Sequence, residues 1–193
     1  MGKIIFDMSV SLDGFVTAAD ISADEPLGVG GQVLHEWAMG ADPADAEALA
    51  AGADRLGALI AGRRTYDASI RWWGADGPTG PRRLPLFVVT HRLPDDVPTD
   101  GVYTFVTDGP EAALEQARAA AGDADVAVMG GPDLGRQYLA QGLVDEIGVH
   151  VVPVLFGAGT RLFSDLVGGH VALEVVEVVP APSATHLRYR IVR

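Results

Sequence analysis

The chain has no cysteine among its 193 residues. That single absence excludes disulfides, thiolate metal sites and a cysteine nucleophile. No apolar run approaches the roughly 18 residues needed to span a bilayer. A signal-peptide pattern is also missing, because "KIIFDMSVSLDG" carries Asp7 inside its apolar run and reads as a strand. The expectation is a cytoplasmic protein that does not engage a membrane. There is no phosphate loop ending in Gly-Lys-Ser/Thr and no Gly-x-Ser-x-Gly elbow, which removes the usual ATP- and GTP-hydrolysing sites and triad hydrolysis. The five histidines, His35, His91, His150, His170 and His186, show no close metal spacing, so no metal is expected. His170 and His186 read as strand-end surface residues. Positive charge is scarce as well: 14 Lys and Arg against 26 Asp and Glu leave a net charge of −12. Nucleic acid is a poor partner for such a chain.

What is present is enough apolar material, 48% of the residues, to bury one sizeable core. Strands are expected at 3–10, 57–61, 84–90, 102–107 and 125–130, and a strand-like stretch at 144–157 is broken by Pro153. A short helical turn is expected at "VLHEWAM" inside the long glycine-rich loop 18–42. Helices are expected from Pro43 with Asp42 as cap, stopping near Gly52, and briefly in "GRRTYDAS", which reads as a turn and a short helix. A further helix starts at Asp108, Pro110 and Glu111 and ends at Gly122, and another runs from Pro132 to a stop at Gly142. Residues 171–179 and 185–193 alternate strictly and read as an antiparallel pair. Strands alternating with helices, then a run of strands, predict one three-layer α/β domain over 1–193. Its central sheet is mostly parallel, flanked by helices, with antiparallel C-terminal edge strands.

In such a sheet, ligands bind at the carboxyl ends of the strands. Four ends carry suggestive residues: Ser11 to Gly14, Gly62 to Thr65, Thr90 to Arg92, and Gly130 to Leu134. The acidic chain is locally basic there. Between 56 and 94, Arg63, Arg64, Arg71, Arg82, Arg83 and Arg92 face only Asp67 and Asp76, six positive charges against two, a local +4. Gly130 and Gly131, before a helix start, can present bare amides to a phosphate, with the helix dipole assisting. The alternative is a tight turn and nothing more. Gly62-Arg63-Arg64-Thr65, with Arg92, offers a second, more charged anion site. Two separated phosphate sites on one edge suggest a dinucleotide with an extra phosphate, such as NADP. A standard Rossmann site fits poorly, since "VSLDGF" after the first strand is not its glycine fingerprint.

Four stretches in order, "MSVSLDGFV", "AGRRTYD", "VMGGPDLGRQYLAQGLVDEI" and "PVLFGAGTRLF", resemble the dihydrofolate reductase-like superfamily. The closer branch contains the reductase domain of bifunctional riboflavin-biosynthesis deaminase-reductases. The resemblance implies a parallel-rich sheet, NADPH as hydride donor and a small heterocyclic substrate of pterin, pyrimidine or flavin-precursor type. By position, Gly62, Arg63, Arg64 and Thr65 would take the pyrophosphate and 2′-phosphate side, and Thr90, His91 and Arg92 the adenosine ribose phosphate. Gly130, Gly131, Pro132, Asp133 and Leu134 would cover the pyrophosphate, and Val16 and Thr17 would lie near the nicotinamide. A homodimer is implied too, with a second copy covering the C-terminal edge.

Dihydrofolate reductases place a carboxylate in the helix after the long first loop, and nothing in "VLHEWAMGADPADAE" aligns with it. The candidates for the proton donor are Glu36, Asp13 and His150. Each has a plain alternative: a surface acid, a cap of its own turn, and a satisfied buried histidine. Trp37 and Trp72 are candidates for a substrate wall, or pack as ordinary aromatics. A nucleotide-binding module without turnover on the same fold stays open as the other reading.

Overall fold

The computed structural model describes residues 2–164 and 169–193. Unbroken apolar runs form the middle of its sheet, as expected where helices cover both faces. In chain order the first elements are β1 (Ile4–Ser11), β2 (Phe15–Thr17), a 3-10 turn over Gly31–His35, α1 (Glu36–Met39) and α2 (Pro43–Asp54). Next come β3 (Leu56–Gly62), α3 (Arg63–Trp73), β4 (Leu86–Val89), β5 (Tyr103–Val106) and α4 (Pro110–Ala121). The chain closes with β6 (Asp125–Met129), α5 (Pro132–Ala140), β7 (Glu146–Val152), β8 (Thr160–Arg161), β9 (Leu173–Pro180) and β10 (Thr185–Ile191).

Eight strands make one sheet in the order β5-β4-β3-β6-β1-β7-β10-β9. The first six are mutually parallel, and β10 runs antiparallel to both β7 and β9. β6 returns late in the chain to lie between β3 and β1, so the carboxyl ends of β4, β3, β6 and β1 stand side by side. The edge that a second copy was expected to cover is β9, whose Leu173, Val175 and Val178 are exposed.

The two faces are covered differently. One carries Ile4, Phe6 and Val10 of β1 and Val126 and Val128 of β6, packed with α4 and α5 in a single large core. The other has two separate covers. Tyr66 of α3 packs over Leu59, Ala61, Leu86 and Val88, while Leu34 and Trp37 pack over Val152 and Ala184. Between these two covers run β1 and β6, which present Asp7, Ser9, Ala127 and Met129 to this face, as the strand register requires.

Several local expectations change. The helix begun by Asp42, whose carboxylate accepts from the amides of Ala44 and Asp45, runs through Gly52 to Asp54. Gly52 does not take the left-handed φ of a helix-ending glycine, so the helix passes through it. α4 takes Gly109 as its cap, at a φ of 98°, not Asp108. α3 is an 11-residue helix where the sequence suggested a brief one. The small pair β2–β8 is new, being too short for periodicity to register.

Candidate active site

Register brings the anion-binding candidates together. Gly62 at the end of β3 lies beside Val89 of β4, and Ala61 beside Met129 of β6. From adjoining strand ends, α3 and α5 then start, with Gly62 and Gly131 as caps and no side-chain cap hydrogen bond at either. Their first-turn amides therefore point out of the same sheet edge with no intrahelical partner.

Thr65 joins the two starts. Its Oγ1 accepts from the amide of Gly131 at 2.9 Å, and its own hydrogen is left to donate outward. Gly130 has a φ of 94°, and a β-carbon there would collide with the Thr65 side chain. The close approach that this glycine permits is thus, first of all, that of Thr65. The Gly131 amide is committed to Thr65, and Pro132 has none to offer.

The arginines divide. Arg82 pairs with Asp54, Arg83 with Asp76, and Arg71 lies 3.9 Å from the ring centre of Trp72. Arg63 braces the edge, donating to Asp67 at 2.7 Å and to the carbonyl of Arg92 at 3.0 Å. Thr90, buried, donates to that same carbonyl at 2.7 Å. The Arg64 and Arg92 guanidinium groups and the His91 ring are exposed and have no hydrogen-bond or ion-pair partner among the described residues. Two uncommitted cations therefore flank two uncapped helix starts.

Val16 is buried in the large core, and Thr17 Oγ1 accepts from the amide of Thr160 at 3.1 Å. Both lie on β2, beyond the end of β1. Asp13 is occupied by its surroundings: Ser11 Oγ donates to it at 2.6 Å, and the amides of Gly157 and Phe156 donate at 2.7 and 3.2 Å. The Ser11 hydroxyl does most to lower its pKa, to about 2, and the two amides add to this against partial desolvation. This carboxylate ties the 153–157 segment to the β1–β2 turn. Glu36 is exposed at the start of α1. Trp72 is exposed near the far end of α3, about 14 Å from Arg63 at the helical rise of roughly 1.5 Å per residue.

His150 lies on the face that has two covers. Its Nε2 is 3.0 Å from Asp7 Oδ1, and its Nδ1 is 2.8 Å from Nδ1 of His186. His186 is no surface residue: it is buried, with Nε2 2.8 Å from Oδ1 of Asp45. A strand end lies at the surface only where nothing covers it, and here α2 and Trp37 do. Trp37 packs against His150 in a tilted arrangement at 4.3 Å and against His186 edge-on at 4.8 Å between ring centres, and its indole N–H donates to Ser9 Oγ at 3.0 Å. A recess of about 220 Å³ on the opposite face, between Val10, Val149, Val151 and Arg161, is lined by no carboxylate or imidazole.

Asp7, Asp45 and His186 escaped the sequence reading as members of one group. A signal existed, since Asp7 and His150 each interrupt an apolar strand at a position that alternation turns to the same face. Asp45 carries none, because it looks like any acid in a first helical turn.

The sequence matches the RibD C-terminal domain over residues 2–187. The chain belongs to the RibD C-terminal domain family. Its fold recurs in a suggested riboflavin biosynthesis protein from Shewanella sp. PV-4, with a TM-score of 0.71 at 22% identity and full coverage of both chains. A diaminohydroxyphosphoribosylaminopyrimidine deaminase/5-amino-6-(5-phosphoribosylamino)uracil reductase from Thermotoga maritima matches at a TM-score of 0.62 and 13% identity, over 99% of this chain and 57% of that one. Dihydrofolate reductase from Enterococcus faecalis, solved with NADP(H), matches at a TM-score of 0.62 and 14% identity, over 100% of this chain and 98% of its own. No curated protein matches the sequence. These likenesses agree with the dihydrofolate reductase-like architecture. Among the described residues, no group of three or more His, Asp or Glu side chains is placed to hold a metal ion, and no helix is long and apolar enough to cross a membrane.

Proposed function

We propose that this RibD C-terminal domain is an NADPH-dependent reductase that delivers a hydride to a small heterocycle of the pterin, pyrimidine or flavin-precursor type. The observation that carries the reading is the edge formed by β4, β3 and β6. There, two uncapped helix starts, the Thr65 hydroxyl and Arg64 and Arg92, unpaired among the described residues, converge on a chain of net charge −12. Amides and a hydroxyl suit a diphosphate, and free guanidinium groups suit a further phosphate on the ribose. The donor set therefore fits NADPH, with Gly130 to Leu134 and Thr65 at the diphosphate and Arg63, Arg64, Thr90, His91 and Arg92 toward the 2′-phosphate.

Bound NADPH would supply the hydride, and the chain would supply grip, orientation and a proton. The strip of β1 and β6 between the covers on one face is where a flat substrate would lie, with Trp37 at its border and Asp7 in its floor. The test is oxidation of NADPH, followed by absorbance, with dihydropterins and with 5-amino-6-(5-phosphoribosylamino)uracil, the compound named for the Thermotoga enzyme. Oxidation with at least one acceptor is the expected result. Tight NADPH binding with none of them oxidising it would favour the binding module, a reading to which the exposed position of Glu36 lends some weight.

A further inference from the structure

A carboxylate that faces the strip between the two covers is the open end of a hydrogen-bonded chain leading into the core. The links are Asp7 to His150, His150 to His186, and His186 to Asp45, at 3.0, 2.8 and 2.8 Å. Exposure falls along it: the side chains of Asp7, His150, His186 and Asp45 are 42%, 15%, 6% and 1% accessible. Gly148, opposite Asp7 on β7, leaves room for the carboxylate, since a β-carbon there would collide with it. Trp37 covers both imidazoles from above.

Three links require three hydrogens. Two neutral imidazoles carry one N–H each, and two carboxylates carry none. The chain therefore holds one further proton, on an imidazole or on a carboxyl at either end. Asp45 is enclosed, and among the described residues its Oδ2 has no hydrogen-bond partner. The other groups facing the chain do not supply that proton. His35, at the end of the 3-10 turn, is exposed over much of its surface, and local desolvation together with the nearby His150 lowers its pKa. Arg188, two residues along β10, is paired with Glu177, and Glu36 is exposed.

We propose that Asp7 is the proton donor of the reduction, and that His150, His186 and Asp45 are positioning residues that hold and resupply its proton. This rests on the reductase reading. A hydride from the reduced nicotinamide forms a C–H bond at the carbon of a substrate C=N group, and the π-electron pair moves onto nitrogen. Asp7 gives that nitrogen its proton, making the N–H bond. The substrate is reduced to an amine, and the cofactor leaves as NADP⁺. Asp7 recovers a proton from Nε2 of His150, the other links shift in turn, and water restores the chain's extra proton.

Two measurements decide it. In ligand-free protein labelled with ¹⁵N-histidine, the rings of His150 and His186 are expected to show direct Nδ1–H···Nδ1 coupling. Absent coupling between the rings overturns the proposal. With NADPH and an acceptor from the panel, Asp7→Asn is expected to lower turnover at least about 100-fold at neutral pH, the usual scale of a lost general acid. Its rate should recover as the pH falls and hydronium substitutes, while NADPH affinity stays unchanged. His186→Gln should shift the pH profile with a smaller loss, which mere support of the fold would not do. If Asp7→Asn fails to fold, Asp7→Ser replaces it with the same expectation. A parent chain that leaves NADPH unoxidised sinks the reductase reading and the donor role with it. An active parent with an equally active Asp7→Asn sinks the donor role alone.

Discussion

Asp13 shows how a single residue can secure a site without entering it. Its carboxylate accepts from Ser11, Gly157 and Phe156 and so holds the 153–157 segment against the β1–β2 turn. Its pKa, lowered from 3.8 to about 2, means that the folded chain prefers the charged form. The stability it contributes is therefore complete above pH 3.8 and is lost as the pH falls toward about 2. Acid unfolding followed by circular dichroism should be shallower between these values for Asp13→Asn than for the parent. Identical slopes would contradict the assignment. The sequence disclosed part of this. An Asp in "SLDG" reads as a turn residue, but its two amide partners come from a segment more than 140 positions away, which no local pattern encodes. The same limit hid His186: its alternation marked a strand, and only α2 folding over that strand makes it a buried partner of Asp45.

At the scale of elements, α5 is set by two glycines with opposite reasons. Gly130 is needed for its left-handed backbone and for the approach of Thr65. Gly135, inside the helix, is needed because Phe6 of β1 packs directly onto it. Alanine at 135 would gain roughly 1 kcal/mol of helix propensity. It would also drive a methyl into the Phe6 ring, and overpacking of that kind costs about 1–3 kcal/mol. Gly135→Ala is expected to lower the urea midpoint despite the better helix former, and a raised midpoint would show that Phe6 can move aside. Element boundaries were legible where a run of apolar residues met a proline or a cap, as at Pro43, Pro110 and Pro132. They were less so for α3, where "RRTYDASIRWW" has few apolar residues and fully buries only Tyr66, although Tyr66, Ile70 and Trp73 do recur at helical spacing on the covered face.

For the whole molecule, the organising fact is the late return of β6 between β3 and β1, which sets α3 and α5 side by side at one edge. The glycines and arginines of that edge could be read from the sequence as anion-binding types, and the order of motifs pointed to the fold. Which arginines are free could not be read, because Arg82 and Arg83 differ from Arg64 only in having Asp54 and Asp76 within reach after folding. A phosphate-binding edge of this kind should distinguish NADPH from NADH. The direct measurement is the affinity of the parent chain and of Arg64→Ala for NADPH and for NADH, followed by energy transfer from tryptophan to the nicotinamide. A charge-assisted hydrogen bond is worth about 1.5–3 kcal/mol, so the substitution should weaken NADPH roughly 10- to 100-fold and leave NADH nearly unchanged. Equal losses for the two cofactors, or no binding of either by the parent chain, would contradict it.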